Sequence, residues 1–375
     1  MRKHIIYRYF LFLSLVGLMQ LTLSCSSSSN EIEPLKPEGE DTPLEKDEYT
    51  FMNVEYRKWQ NGTFQAWTTA DSRETRTIDN MNWYTPSSDY SRTAWGGRIG
   101  LQPSSVVGKE GFFRVANCGG RSYLLDPDNG AVIIHGIQHV RPGESTAHKK
   151  AFGTRYGSEA RWSEETGKLL ADNHINYISY GSNRIEVFPA AVRANLLTPK
   201  TQKIAYAENL YLLRTFMWDM SKNLGYAFDD DKYNRLVLLF EPTFATYIDH
   251  LVQEKSALFA GDRHFIGFYL DNELPFASYQ GTGYANTEGG GWLVHTQKNR
   301  GEFYQNFCLR LLETRNCVGW VHFEYNDGYD SNGKASNKGV VSIEYEPYES
   351  FLSQMRQLNL SVHSLIDYYD IKSVQ

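Results

Sequence analysis

From about Phe112 to Leu270 the chain alternates short apolar runs with stretches of helical spacing, and nothing else in the sequence restricts its fold as much. Ser122–Leu125 leads through Asp126-Pro127-Asp128-Asn129-Gly130, a turn, into the apolar Ala131–Ile134. Ser158–Asn173 has helical spacing and Ile175–Tyr180 reads as a strand. After a longer helical and loop region, Tyr211–Trp218 reads as a strand again. Phe244–Ala260 carries the spacing of an amphipathic helix, and Phe265–Leu270 is a short continuous apolar run, the pattern of a strand buried on both faces. Parallel strands need a long crossover between them, usually a helix, so this alternation implies βα units around a parallel sheet. Four such units are half of a TIM-type (β/α)8 barrel, and that α/β architecture is the expected fold class.

The second half is short. From Ala131 to Glu273 there are 143 residues for four units, whereas Leu274 to Tyr369 offers 96 for the rest. The next clear strand after Glu273 is Cys317–Tyr325, and only one evident helix, Thr296–Thr314, lies between them. Three further strands with their helices need on the order of 90 residues at about 30 per βαβ unit, and the gap from Glu273 to Val318 is 45. The barrel is therefore expected to be abbreviated between strands 4 and 8. A last helix over Tyr348–Asn359, continuing towards Tyr369, closes it.

Ahead of the barrel the chain changes character twice. Residues 1–24 hold Arg2, Lys3 and His4 before an apolar run from Ile5 to Leu23, the layout of an export signal. Leu21-Thr22-Leu23-Ser24-Cys25 resembles a bacterial lipoprotein signal, which implies lipidation of Cys25 and a Gram-negative outer-membrane or cell-surface location, periplasm-facing or outward. A cleaved signal or an uncleaved anchor is the alternative. Residues 25–47 are rich in Ser, Pro and Glu and read as a disordered tether. Residues 48–125 are rich in Tyr, Trp, Thr, Asn and Gly, with strand-like segments around Asn61-Gly62, a strong hairpin signal; they read as a β-rich extension of the domain over 126–375.

Setting the signal aside moves the formal charge from −6 to −9, because it contains three basic and no acidic residues. So acidic a chain repels a phosphate backbone, which excludes nucleic acid as the expected partner. Aromatic residues are 14% of the chain. They suit either a large core or a neutral sugar ligand, whose C–H faces stack on rings. Cys118, Cys308 and Cys317 have no metal or disulfide spacing and read as free thiols, with a Cys308–Cys317 pair as the alternative. No metal or other cofactor is implied.

The sharpest chemical signal is Phe268-Tyr269-Leu270-Asp271-Asn272-Glu273. An apolar strand ends in Asp-Asn-Glu where barrel active sites sit, at the C-terminal mouth. A Glu there can protonate a leaving glycosidic oxygen, and the adjacent Asn can hydrogen-bond the sugar 2-hydroxyl. Around this signal the sequence resembles agarase-like glycoside hydrolases, which are (β/α)8-barrel retaining enzymes acting on algal galactans. The resemblance is carried by Gly111–Pro127 with Gly136–Pro142, by Ile266–Pro275, and by Cys317–Asp327 with Asn337–Val341 and Glu346–Tyr348.

The resemblance implies that Glu273 is the general acid/base and Asn272 its sugar-binding neighbour, and that His139 and Trp320 or nearby aromatics line the substrate subsites. His322, Trp218 and Asp327 are further substrate-binding candidates, although His322 and Glu324 stand where the family more often has Trp and Lys. It also exposes a departure. The family's nucleophile is a second Glu shortly before the segment matched by Gly289–Val294, which this chain reaches 16 residues after Glu273. Glu288, Glu324 and Asp327 remain as candidates for the second carboxylate. If Trp320 points into the barrel, strand alternation puts His322 and Glu324 on its face, which makes Glu324 the best geometric substitute. The other reading of Glu324 is an ion pair inside the mouth. His135 and His139, four apart on a strand, would share a face without helical metal-site geometry. Two functions follow: a polysaccharide-cleaving glycoside hydrolase, or a carbohydrate-binding lipoprotein that descends from one and no longer cleaves.

Overall fold

The first described residues form antiparallel sheet. In the computed structural model, which describes residues 49–60, 63–87, 90–181, 185, 188–224, 240–271, 292–329 and 335–372, β1 (Met52–Gln60) pairs with β2 (Thr63–Phe64) and β3 (Asp71–Thr75). β1 and β2 pair on either side of the expected turn, in the register Gln60↔Thr63, and Asn61-Gly62 itself lies outside the described residues. A second antiparallel sheet runs in the order β4 (Ser105–Val107), β5 (Arg114–Cys118), β6 (Arg121–Leu125), β7 (Ala131–Val132). Asp126 fixes the last turn, its Oδ1 accepting from the N–H groups of Asp128 and Gly130 at 2.9 and 3.0 Å. A short polar side chain here takes the place of ladder bonds. Pairing thus continues across residue 126, and Asp47–Gln375 cluster as one compact unit. The signal, Cys25 and the tether lie outside the described residues.

The centre of this unit is a parallel sheet. β8 (Ile134–Ile137), β9 (Tyr177–Ile178), β10 (Ala205–Asn209) and β11 (Phe265–Tyr269) lie side by side, and after β12 (Trp292–Val294) the late strand β13 (Gly319–His322) returns to pair with β8. All four pairings are parallel. Helices supply the crossovers: α1 (Thr146–Arg155), α2 (Glu159–Asp172), α3 (Ala190–Leu197), α4 (Leu212–Leu224), α5 (Phe244–Leu258) and α6 (Gln297–Glu313), with α7 (Glu349–Lys372) last. Ser145, Ser158 and Thr296 cap three of them, each side chain accepting a first-turn N–H, a contribution of about 1 kcal/mol apiece.

One expectation is overturned and one is met only in part. Tyr211–Trp218 is not a strand, because Leu212–Leu224 is helical. Leu213, Phe216 and Met217, whose spacing covers one helical face, are buried together against Phe244 and Tyr247 of α5. The third strand is instead Ala205–Asn209, whose polar Glu208 and Asn209 interrupt the apolar run that a buried strand ordinarily shows. Secondly, the parallel sheet among the described residues is open, with β11 and β13 at its edges, and those residues form no closed barrel. β12, from the short second half, pairs antiparallel with β1 and not with the parallel strands. The architecture is mixed α/β.

The two faces of the parallel sheet bury different clusters. Ile134, Tyr177, Ala205 and Ala207 pack with Trp95, Phe113 and Leu124 from the N-terminal segments. Ile137, Ile178 and Tyr206 face the helices, among Trp162, Leu196, Phe351 and Met355. Gly136 lies on the first face where the strands approach closely: a Cβ there would come within 2.6 Å of the Tyr177 ring.

Candidate active site

The C-terminal ends of the parallel strands converge on one rim. The β8–β13 ladder continues past both strands, with Gln138 N–H donating to His322 O and Tyr325 N–H to Gln138 O, each at 3.0 Å. At its end His139 turns into the left-handed region, φ +57°, so it does not share the face of His135. Glu324 is pinned through its backbone, its N–H donating to Lys338 O at 3.2 Å and its O accepting from Val340. The two side chains meet, with His139 Nδ1 donating to Glu324 Oε2 at 3.0 Å; they are 25% and 17% exposed. Phe323 closes on the imidazole at 5.0 Å, edge to face. On the β9 side Gly181, φ +85°, lies against the same ring.

Aromatic residues continue the rim. Tyr177, buried, donates its hydroxyl to Tyr269 at 3.3 Å, and Tyr180 packs on Tyr269 with ring centroids 4.5 Å apart. Burial, then the neighbouring Tyr269, raises the Tyr177 hydroxyl above the usual phenolic range. Tyr269 and Phe323 remain 37% and 44% exposed, which gives the rim open ring surface. Asp271, just past β11, accepts from Leu213 N–H at 2.8 Å, at the start of α4. A carboxylate suits the positive end of a helix, so this bond ties the exit of β11 to α4 and sets where the chain leaves towards residue 272.

The sequence-derived candidates therefore separate. His139 and Glu324 come together. Asn272, Glu273 and Glu288 lie outside the described residues. Trp320 and His322 do share a face, but it is the one turned to the helices: Trp320 is 6% exposed, donates Nε1–H to Tyr304 of α6 at 2.6 Å and stacks on His135. His322 packs on Phe351 of α7, and its Nε2 lies 2.9 Å from Lys338 O. Burial and the charge of Arg300 push its pKa down to about 3, so its imidazole is neutral. Strand alternation is obeyed; what the sequence left open is which face is which. Val321, between them, lies on the Gly136–Tyr177 face.

Asp327 is likewise absorbed by structure. It is 6% exposed, and its carboxylate accepts from Asn337, Tyr348 and the Gly339 N–H at 3.0, 2.6 and 2.8 Å. Those bonds hold the closing segment in place. Trp218, expected on a strand, stands on α4, 57% exposed beneath the Arg214 guanidinium. Among the described residues no three His, Cys, Asp or Glu side chains are grouped to hold a metal ion, and Cys118, Cys308 and Cys317 are free thiols.

Tyr180, Gly181, Tyr269 and Phe323 are the residues of the rim that sequence reasoning did not single out. The available signal was positional, since each stands at or just past the C-terminal end of a strand in the parallel sheet.

No family model and no curated protein matches this chain. Among solved structures it is similar to "Crystal structure of BpGH50", with a TM-score of 0.68 at 18% identity over 86% of this chain and 96% of that one. "The crystal structure of an agarase, AgWH50C" matches with a TM-score of 0.45 at 13% identity over 75% of this chain and 67% of that one, and "Structural analysis of an exo-beta-agarase" with 0.41 at 11% over 75% and 69%. The first of these likenesses establishes a shared fold.

Proposed function

We propose that this chain is an agarase-like glycoside hydrolase acting on a galactan, with Glu273 as general acid/base and Glu324 as the second carboxylate. The observation that carries the reading is the His139–Glu324 pair on a partly exposed aromatic rim, at the strand ends from which β11 runs on into Asn272-Glu273. In this reading the five parallel strands are strands 1 to 4 and 8 of an abbreviated (β/α)8 barrel. That assignment explains why the last strand pairs with the first.

The chemistry has two steps. Glu273 gives its proton to the departing glycosidic oxygen while a Glu324 oxygen bonds to the anomeric carbon. Glu273, now a carboxylate, then takes a proton from water, whose oxygen displaces Glu324 and releases the sugar. This retaining route needs the two carboxyl groups about 5–5.5 Å apart. The rings of Tyr269 and Phe323 offer stacking surface to sugar C–H faces, and Asn272 hydrogen-bonds the 2-hydroxyl. Lipidated Cys25 anchors the enzyme at the outer membrane or cell surface, and residues 25–47 hold it off the bilayer.

Release of reducing ends from agarose and other galactans tests the reading. Glu273→Gln is expected to lower turnover by about 10²–10⁴-fold, the worth of a general acid, with oligosaccharide binding by calorimetry unchanged. Turnover that survived this change would remove Glu273 from the mechanism.

A second reading, a carbohydrate-binding lipoprotein without turnover, draws on the antiparallel pairing of β12 with β1, in the segment shortly before which the resemblance expects the nucleophile. It predicts binding with no reducing ends released by the wild type.

A further inference from the structure

The His139 imidazole is constrained from three directions. Its own backbone lies in the left-handed region, φ +57°, where a non-glycine residue stays only if its surroundings over-determine it, as they do at many functional sites. The second constraint comes from the adjacent strand end. Gly181, φ +85°, presents a bare Cα to the ring, and a Cβ at that position would lie 2.3 Å from His139 Cδ2 and 2.6 Å from Nε2. Thirdly, the Phe323 ring stands 5.0 Å away at an interplanar angle of 68°. One ring orientation remains, and it aims Nδ1 at Glu324 Oε2, 3.0 Å away.

A carboxylate that attacks an anomeric carbon must present one oxygen in a fixed direction. Tying Oε2 to an immobile N–H leaves Oε1 as the free oxygen and removes rotation about the last side-chain bond. We infer that His139 is a positioning residue for Glu324 and that Gly181, which touches neither the carboxylate nor the reacting atoms, makes that position possible by lacking a side chain. The inference rests on the reading of Glu324 as the second carboxylate.

The test uses the full chain and four variants: Gly181→Ala, His139→Ala, His139→Asn and Glu324→Ala. Thermal unfolding first establishes which variants are folded. For galactan hydrolysis, Gly181→Ala and His139→Ala are expected to lower kcat by about 10–100-fold, as a sub-ångström to ångström misplacement of a reacting group does, with KM nearly unchanged. His139→Asn, whose amide N–H can stand near the imidazole Nδ1, is expected to recover part of the loss. A purely structural role would give no such recovery and no kcat-against-KM split.

Nitrogen-15 NMR of the imidazoles gives an independent readout. His139 is expected to carry a slowly exchanging proton on Nδ1 in the wild type, and to lose that protection in both Glu324→Ala and Gly181→Ala. Two results would overturn the inference: kcat of folded His139→Ala within about twofold of wild type, or a His139 proton on Nε2 with Nδ1 bare. If the wild type releases no reducing ends from any galactan, the hydrolase reading fails; the NMR result still decides whether Gly181 and Glu324 hold the ring.

Discussion

His135 and His139 stand four residues apart on β8 and its exit, and their surroundings are opposed. His135 is 4% exposed and stacked on Trp320. Its Nδ1 lies 3.3 Å from His174 O, and among the described residues its Nε2 meets no hydrogen-bond partner. Across a space of about 10 Å³, close to the size that holds one water, stands His363 of α7, whose Nδ1 is likewise bare. His139 is partly open, hydrogen-bonded to Glu324 and held in the left-handed backbone region. The same residue type serves packing on the helix face and, in the proposed function, chemistry at the rim. Burial without a charged partner makes the first, and exposure beside a carboxylate makes the second.

Mutating each member of the pair should separate stability from turnover. The largest expected effect is on activity: Glu324→Gln removes the nucleophile and is expected to reduce galactan hydrolysis by up to about 10⁶-fold, while the thermal midpoint stays within a few degrees of wild type. Next comes the contrast between the histidines. His135→Ala leaves a hole behind Trp320 and is expected to cost about 2–5 kcal/mol in urea unfolding, in the range of large-to-small changes in a packed interior. Turnover per folded molecule should be unchanged. His139→Ala should do the reverse. If His135→Ala lowered kcat, or His139→Ala lowered stability more than His135→Ala, the division between face and rim would collapse.

Acid should strike the helix face first. Burial, with His363, His174 and Arg92 nearby, pushes His135 down to about 3 against an upward pull from the His174 carbonyl, and burial with Arg92 and Arg98 pushes His363 down to about 4 against upward pulls from the Gly96 carbonyl and Asp367. The unfolded chain takes up these protons near pH 6.5 and the folded chain does not, so stability falls as pH drops from about 6.5 towards 4. Each histidine contributes a slope of up to about 1.4 kcal/mol per pH unit. Urea midpoints at pH 7 and pH 5 should therefore differ, and His135→Phe, which keeps a ring on Trp320, should shrink that difference. The smallest expected effect belongs to the rim: Tyr269→Phe removes an acceptor from the buried Tyr177 hydroxyl and is expected to cost about 0.5–1.5 kcal/mol. A larger loss would mean that the rim is part of the core.

The sequence displayed the parallel sheet because buried strands and amphipathic helices have different periods. Phe265–Tyr269 and Gly319–His322 emerge within the expected runs. It hid Ala205–Asn209 because Glu208 and Asn209, at the end of that strand, break the apolar run, and Leu212–Leu224 was masked by an apolar stretch that both periods fit. Periodicity also reports that Trp320 and His322 share a face without naming the face. Only the helix-borne Tyr304 and Phe351, distant in sequence, decide it. His139 and Glu324 are 185 residues apart, and their contact depends on β13 returning beside β8, a consequence of topology that local pattern cannot encode.

The central claim is that the carboxylate held by His139 forms a bond to sugar. Incubation with a 2-deoxy-2-fluoro-β-galactoside bearing an activated leaving group, followed by peptide mapping by mass spectrometry, tests it directly. One glycosyl adduct on the peptide containing Glu324, absent in Glu324→Gln, is the predicted result. An adduct on Glu288 or another carboxylate, or turnover of the same compound without any adduct on Glu324, would contradict it.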